Sequence, residues 1–114
     1  MTDATIRLFS YGTLRDDAVQ LRLFGRLVPG TPGALPGFRL GTVTIRDEAV
    51  VATSGISVHL CADETGDPAD TIEGTVLSLT EAELAIADDY ETADYKRVSV
   101  TLASGVDAFL YARA

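Results

Sequence analysis

The first stretch that could do chemistry is Tyr11-Gly12-Thr13-Leu14, close to the start of the chain. Alternation over residues 6–11 predicts a β-strand packed on both faces, and Gly12 ends it. Asp16-Asp17 follows and predicts a helix start. Backbone N–H groups between a strand end and a helix N-terminus are left unpaired, so they can hold a carboxylate or a developing oxyanion. An ordinary turn after a buried edge strand is the structural alternative.

Glu91 is the second candidate, because it follows a predicted helix and has tyrosines around it in the sequence. The helix dipole disfavours a negative charge at a helix C-terminus. Partial burial beside Tyr90, Tyr95 and Tyr11 would disfavour the charged form further. Both effects raise the pKa of the carboxyl, which suits a group that accepts and then releases a proton. The alternative is a surface glutamate at a frayed helix end.

The sequence does not predict a metal site or thiol chemistry. Cys61 lies two residues after His59, but one cysteine and one histidine are too few for a closed zinc site. Residues 63–70 hold four carboxylates without the spacing of a calcium-binding EF-hand loop. We therefore expect no bound metal. His59 and Cys61 are expected to be ordinary strand or loop residues, and residues 63–70 are expected to form a solvated acidic loop. The single cysteine excludes an intrachain disulfide, which suits a reducing cytoplasm.

Composition limits the class of protein. The 114 residues fit one domain spanning 1–114, and 46% of them are hydrophobic, enough for a core. The formal net charge of −8 argues against binding to nucleic acid or to an anionic membrane, which needs clustered Lys and Arg. No apolar run approaches roughly 20 residues, so we expect no transmembrane helix. The N-terminus Met-Thr-Asp-Ala-Thr does not resemble a secretory signal, and nothing indicates the oligomeric state.

The remaining patterns predict the elements that position these groups. Helices are predicted at 16–24 and at 80–90, the second because Thr80 and Glu83 form a capping box. Residues 28–37, rich in Pro and Gly, are predicted to be a shaped connector. Gly74 predicts a bulge, or a close approach by another backbone or by a ligand. Strands are predicted at 38–45, 49–52, 56–60, 72–79, 96–102 and 106–111.

Many short strands with only two helical windows predict an α+β fold. We expect a compact single domain whose sheet is strongly curved or barrel-like and mainly antiparallel, with two or three short helices.

Two motifs resemble those of the γ-glutamylcyclotransferase-like family. The run from Phe9 to Leu14 resembles the family's Tyr-Gly-Ser/Thr-Leu loop. Residues 89–97, Asp-Tyr-Glu-Thr-Ala-Asp-Tyr-Lys-Arg, are similar to its second motif, in which an acidic-aromatic-Glu triplet precedes Tyr-x-Arg. The order and separation of the motifs also match, and the resemblance covers essentially the whole chain. Many members have Tyr-Pro in the middle region, where this chain has Ala52-Thr53-Ser54-Gly55, so one wall of the pocket differs.

This resemblance implies an enzyme that cyclises a γ-glutamyl-amine or γ-glutamyl-peptide to 5-oxoproline and a free amine, without a cofactor. It implies that Glu91 is the general acid–base. Arg97 is expected to form a structural ion pair more readily than to contact the substrate. A non-catalytic or differently acting member that binds an amino-acid-like small molecule is the alternative. The substrate-binding residues that the resemblance implies are Tyr11, Gly12, Thr13, Leu14, Tyr95 and Arg97.

Overall fold

The computed structural model describes residues 6–55, 57–91 and 93–114. Ile56 and Thr92, which belong to predicted segments, lie outside the described residues, as do residues 1–5. The described residues form strands and helices with a short 3-10 turn at Thr13–Arg15. In chain order they are β1 (Ile6–Ser10), α1 (Asp17–Phe24), β2 (Gly30–Pro36), β3 (Phe38–Thr44), α2 (Glu48–Ser54), β4 (Val58–Glu64), β5 (Thr71–Leu79), α3 (Glu81–Tyr90), β6 (Tyr95–Thr101) and β7 (Asp107–Arg113).

All seven described strands belong to one sheet, which curls into a half-barrel. The strand order is β2-β5-β1-β7-β4-β3, and β6 also pairs with β7. Neighbours β1 and β5, β2 and β5, β3 and β4, and β6 and β7 run antiparallel. Strand β7 runs parallel to β1 and β4. The predicted α+β fold, a compact domain with a curved and mainly antiparallel sheet, is confirmed.

Strand β1 lies in the middle of the sheet and is buried on both faces, as its sequence predicts. Leu8 packs on the face covered by the helices, with Val19 of α1 and Ala87 of α3. Phe9 packs on the opposite face, with Leu35 and Leu110. This alternation follows from the two-residue period of a strand. It holds the end of β1, and therefore the Gly12 turn, rigidly in the sheet.

The two predicted helices are confirmed, and their caps explain where they begin. The side chain of Asp16 accepts a hydrogen bond from the Ala18 N–H at the start of α1. Thr80 and Glu83 form the predicted capping box at the start of α3. Leu21, in the middle of α1, faces away from the core and is exposed.

The structure corrects two predictions in the middle of the chain. Residues 49–52 were predicted to be a strand but lie in α2, where Asp47 caps the first turn and Gly55 ends the helix at a φ of 78°. Local capping and burial of Val50 here outweigh the β propensity of valine. The predicted connector at 28–37 contains β2, which pairs antiparallel with β5. Strand β2 lies at the sheet edge, where proline is tolerated.

Arg26, which follows α1, forms an ion pair with Glu83 of α3. Its Nε and Nη2 atoms lie 2.7 and 2.8 Å from the two carboxylate oxygens of Glu83. This pairing holds the pKa of Glu83 below its ordinary value and ties α1 to α3. Within the described parts of the chain, no helix has the length and apolar character needed to cross a membrane.

Candidate active site

A cavity of about 600 Å³ opens at the end of β1, within the size range of small-molecule sites. It lies between the Gly12 turn, the C-terminus of α3 and the hairpin of β3 and β4. The predicted site residues among its lining are Tyr11, Gly12, Thr13, Leu14, Glu91 and Tyr95. The lining residues that the sequence did not indicate are Phe9, Ser10, Arg15, Asp16, Thr42, Val58, His59, Leu60, Thr75 and Tyr111.

Glu91 caps the C-terminus of α3 and turns the chain out of the helix. Its N–H donates to the carbonyl of Ala87 at 2.9 Å, while its ψ of 128° is extended. Burial raises the pKa of the Glu91 carboxyl from its ordinary value to about 8. Among the described residues, no hydrogen bond or cation lowers the pKa again. The cavity therefore contains a carboxyl that exchanges its proton near neutral pH.

The turn after β1 lines the cavity and contains backbone N–H groups that lack a protein partner among the described residues. The N–H groups of Arg15 and Asp16 donate to the carbonyls of Gly12 and Thr13 at 3.2 and 2.9 Å. Those of Gly12, Thr13 and Leu14 have no protein acceptor within the described residues. The strand has ended and the 3-10 turn has only begun, so these donors have no ladder partner. Consecutive donors of this kind suit an anion.

A side-chain hydrogen bond joins this turn to the residue before Glu91. Thr13 Oγ1 lies 2.8 Å from the hydroxyl of Tyr90, the last residue of α3. Burial raises the pKa of Tyr90, and hydrogen bonds with Thr13 and Ser54 offset part of that rise. This hydrogen bond holds the turn after β1 against the end of α3, although Thr13 and Tyr90 are 77 residues apart in sequence.

Gly74 in β5 allows the end of β1 to lie where it does. A Cβ at Gly74 would be 2.5 Å from the carbonyl oxygen of Ser10 and 2.9 Å from Cζ of Phe9. Any side chain there would push β1 and the following turn away. The close backbone approach that the sequence predicts at Gly74 is confirmed.

Tyr11 and Tyr95 line the cavity, but their hydroxyls already bond the protein backbone. The Tyr11 hydroxyl donates to the Tyr111 carbonyl at 2.6 Å and accepts from the Ala62 N–H at 2.9 Å. The Tyr95 hydroxyl donates to the Leu60 carbonyl at 2.7 Å. Burial raises the pKa of both phenols, and the nearby charge of Glu91 raises it further. The two side chains therefore stay neutral and shape the cavity.

Arg97, the remaining substrate-binding prediction, is not among the cavity's lining residues. Its Nη1 atom lies 3.1 Å from Oδ2 of Asp88, and its guanidinium lies 4.8 Å from the centre of the Phe109 ring. The other oxygen of Asp88 accepts the Tyr111 hydroxyl at 2.6 Å. Asp88 therefore links Arg97 to Tyr111, which is a cavity residue. Arg97 itself stays outside the cavity, because Asp88 is exposed on α3.

His59 is a cavity residue that sequence reasoning set aside. It is buried in β4, and its Nε2 atom lies 3.2 Å from Oγ of Ser54. A single histidine in a strand carries no sequence signal of a site, since only the fold brings it to the cavity. Across the described ranges, no cluster of three or more His, Cys, Asp or Glu side chains could hold a metal ion.

Solved structures of other proteins share the fold of this chain. An Arabidopsis thaliana protein solved in solution superposes with a TM-score of 0.70, at 21% identity over 95% of this chain and 68% of that chain. A second Arabidopsis thaliana protein gives 0.67, at 21% identity over 99% of this chain and 65% of that chain. An uncharacterized Pyrococcus horikoshii protein gives 0.64, at 18% identity over 96% of this chain and 78% of that chain.

The present chain spans about two thirds of the length of the Arabidopsis proteins. At the identities of 18–21% found for these three structures, the similarity establishes the fold alone. No curated protein matched the sequence. The model of the family described as "Gamma-glutamyl cyclotransferase, AIG2-like" matches residues 8–114. The chain therefore belongs to the AIG2-like γ-glutamyl cyclotransferase family.

Proposed function

We propose that this protein is an enzyme that cyclises a γ-glutamyl-amine or γ-glutamyl-peptide to 5-oxoproline and a free amine. The observation that carries the proposal is that one cavity contains both a desolvated carboxyl, Glu91, and the unpaired N–H groups of Gly12, Thr13 and Leu14. A proton acceptor beside an anion-binding turn is what this reaction needs.

The nucleophile in this reaction belongs to the substrate. Its α-amine adds to its own γ-carbonyl, and the C–N bond to the leaving amine then breaks. The attacking nitrogen gives up two protons, one from the α-ammonium group before attack and one from the ring nitrogen after it. The Glu91 carboxylate accepts them in turn and returns them to the leaving nitrogen, which departs as an ammonium ion, so no proton is gained or lost overall. One carboxyl thus serves first as base and then as acid.

The raised pKa of Glu91 suits both proton transfers. The ordinary pKa of an α-amino group is about 8, and burial raises the pKa of Glu91 to about 8. Burial thus brings the pKa of the carboxyl much closer to that of an amine, so a proton moves between the two groups at a lower cost than it would with an ordinary glutamate. An exposed glutamate would be too weak a base for the first step.

The N–H groups of Gly12, Thr13 and Leu14 supply the second requirement. The tetrahedral intermediate carries a negative oxygen, and the glutamyl group carries a carboxylate. Fixed backbone donors stabilise either anion without reorganising during the reaction. Tyr11 and Tyr95 hold the cavity's shape through the hydrogen bonds of their hydroxyls to the backbone.

We propose that the protein is located in the cytoplasm, which is a reducing compartment, because the chain's one cysteine, Cys61, is a buried free thiol.

A screen of γ-glutamyl-amines and γ-glutamyl-dipeptides for 5-oxoproline release tests the proposed reaction. We expect at least one compound to be turned over by the wild type and not by Glu91→Gln, with a thermal melt to show that the variant folds. If no compound is turned over but one binds in the cavity, the alternative of a binding protein for amino-acid-like molecules takes its place.

A further inference from the structure

Two apolar side chains on β4 line the cavity and remain open to solvent. Val58 is 55% exposed and Leu60 is 39% exposed, and both are lining residues. Thr42 of β3 pairs with Leu60 across the hairpin and also lines the cavity. We call these three residues the hairpin wall.

The apolar surface continues beyond the cavity. Leu40, which is 44% exposed, lies two residues before Thr42 on β3. Side chains at alternate positions of a strand, and at paired positions of its neighbour, share one face of the sheet. Leu40, Thr42, Val58 and Leu60 therefore form one strip that leads out of the cavity mouth.

No charged side chain belongs to the hairpin wall. The charged lining residues at the other side of the cavity are Arg15, Asp16 and Glu91, and Nη2 of Arg15 donates to the Tyr11 carbonyl at 2.8 Å. Arg113 donates to the Thr42 carbonyl at 3.2 Å, but its guanidinium is paired with Asp63 at 2.6 Å and is not a lining residue. A carboxylate placed against Val58 and Leu60 would lose water without gaining a free cation.

The hairpin wall is attached to the proposed reacting groups. The Tyr95 hydroxyl, four residues after Glu91, donates to the Leu60 carbonyl at 2.7 Å. A glutamyl group held between the Gly12 turn and Glu91 would therefore extend its amide substituent towards this wall.

We infer that the leaving amine of the substrate is an uncharged alkyl or aryl amine, bound by the apolar surface of Val58 and Leu60. The inference rests on the proposed cyclotransferase function and specifies its substrate class. Burying one methylene contributes about 0.8 kcal/mol, which corresponds to about a fourfold gain in kcat/KM for each methylene added to the amine.

The test compares γ-glutamyl-alkylamides of increasing chain length with γ-glutamyl-glycine and γ-glutamyl-aspartate. With the wild type, kcat/KM should rise about fourfold per methylene over the first few carbons, and the two carboxylate-bearing compounds should be poor substrates. In Val58→Ser and Leu60→Ser the rise should flatten, so that the loss of kcat/KM relative to the wild type is smallest for γ-glutamyl-methylamide and grows with each added methylene. Leu21→Ser and Ile86→Ser are matched controls, because both residues are exposed on helices and neither lines the cavity.

The result that overturns the inference is a preference for the charged amines, or a chain-length slope that survives both β4 substitutions. Failure of the proposed reaction is distinguished by calorimetry with the same alkylamides. If none is turned over, their affinities for the wild type and Leu60→Ser still decide whether the wall binds apolar groups: a rising affinity lost in the variant supports it, and a flat series overturns it.

Discussion

The two sides of the cavity differ in their chemistry. One side consists of the Gly12–Leu14 turn and Glu91, which offer backbone donors and a desolvated carboxyl. The other side is the hairpin wall of Thr42, Val58 and Leu60, which is largely apolar and uncharged. In the proposed reaction the first side makes and breaks bonds, and the second contacts only the amine that leaves. Turnover and selectivity should therefore depend on different residues.

The two sides also differ in how they are held. The polar side is tied to the core by Tyr11, whose hydroxyl bonds two backbone groups, and by the hydrogen bond between Thr13 and Tyr90. The hairpin wall has Thr42 on β3, an edge strand of the sheet, and Val58 and Leu60 on the neighbouring β4, where both side chains are partly exposed. Exposed positions tolerate side-chain change at lower cost than positions on a doubly buried strand. One fold can thus keep its reacting groups while the pocket for the amine varies.

The sharpest test of this division is Glu91→Gln, which should remove turnover. Gln has nearly the same shape, so packing is kept, but it cannot accept and return a proton. General acid–base catalysis contributes about 10²- to 10⁴-fold. Because Glu91 would do both jobs, we expect kcat to fall by about 10⁴ or more and KM to change less. Rates of 5-oxoproline release at saturating substrate measure this.

Glu81→Gln is the matched control for that variant. Glu81 is exposed in the first turn of the same helix and does not line the cavity, so its loss should leave kcat unchanged. A folded Glu91→Gln protein with turnover close to that of the wild type would exclude Glu91 as the acid–base.

The pH dependence of the wild type should report the same carboxyl. The base form of Glu91 is required in the free enzyme, and burial raises its pKa to about 8. Measured kcat/KM should therefore rise with pH up to about 8, and should be about a hundredfold lower at pH 6, two units below that pKa. An activity that stays constant from pH 5 to pH 8 would mean that the essential carboxyl has an ordinary pKa. The hairpin-wall variants should keep the wild-type pH profile, since they change no titrating group.

The strand and the helix that carry the polar side were predicted correctly from the sequence, for a physical reason. Each of its motifs is continuous in the chain, so Gly12 after a strand and Glu91 after a capped helix are visible without tertiary information. The same local logic correctly predicted the start of α3 from Thr80 and Glu83. Arg97 shows the limit of this reasoning. It belongs to the same sequence motif as Glu91, but in the fold it pairs with Asp88 and does not line the cavity.

The hairpin side was predicted poorly. Ala49-Val50-Val51-Ala52 favours a strand by composition, but Asp47 and Gly55 cap it as α2. His59, Val58 and Leu60 are ordinary strand residues in sequence and become cavity residues only because β4 lies beside β7 in the curled sheet. Which residues of an edge hairpin face a cavity depends on sheet curvature, and curvature is not encoded in a local pattern.

Stability should also depend on pH through Glu91. Its pKa is raised from an ordinary 4.5 to about 8 in the folded protein, so the folded state binds more protons than the unfolded state between those pH values. The free energy of unfolding therefore falls as pH rises across that window, by at most about 1.4 kcal/mol per pH unit, and stays low above it. Glu91→Gln removes this effect. Thermal melts should show that the variant gains stability relative to the wild type between pH 4.5 and pH 8, and an unchanged difference would contradict the buried carboxyl.

The smallest effect that we expect is on the hydrogen bond that positions the anion-binding turn. Tyr90→Phe keeps the buried ring but removes the hydroxyl that lies 2.8 Å from Thr13 Oγ1. A single hydrogen bond contributes about 0.5–1.5 kcal/mol, so kcat/KM should fall by about two- to tenfold. Thr13→Val should cost no more than Tyr90→Phe, because the Tyr90 hydroxyl also bonds Ser54. The double variant should cost about as much as Tyr90→Phe alone, since that substitution already removes the contact with Thr13.

Thr101→Val is the matched control for these variants, since Thr101 Oγ1 also donates to a side chain, Asp107, at 2.8 Å, but in an exposed hairpin that does not line the cavity. Fully additive losses in Tyr90→Phe and Thr13→Val would show that the two hydroxyls act separately. The chain-length dependence for alkylamide substrates should be the same in Tyr90→Phe as in the wild type. A variant on the polar side that changed amine selectivity would instead show that the two sides of the cavity are coupled.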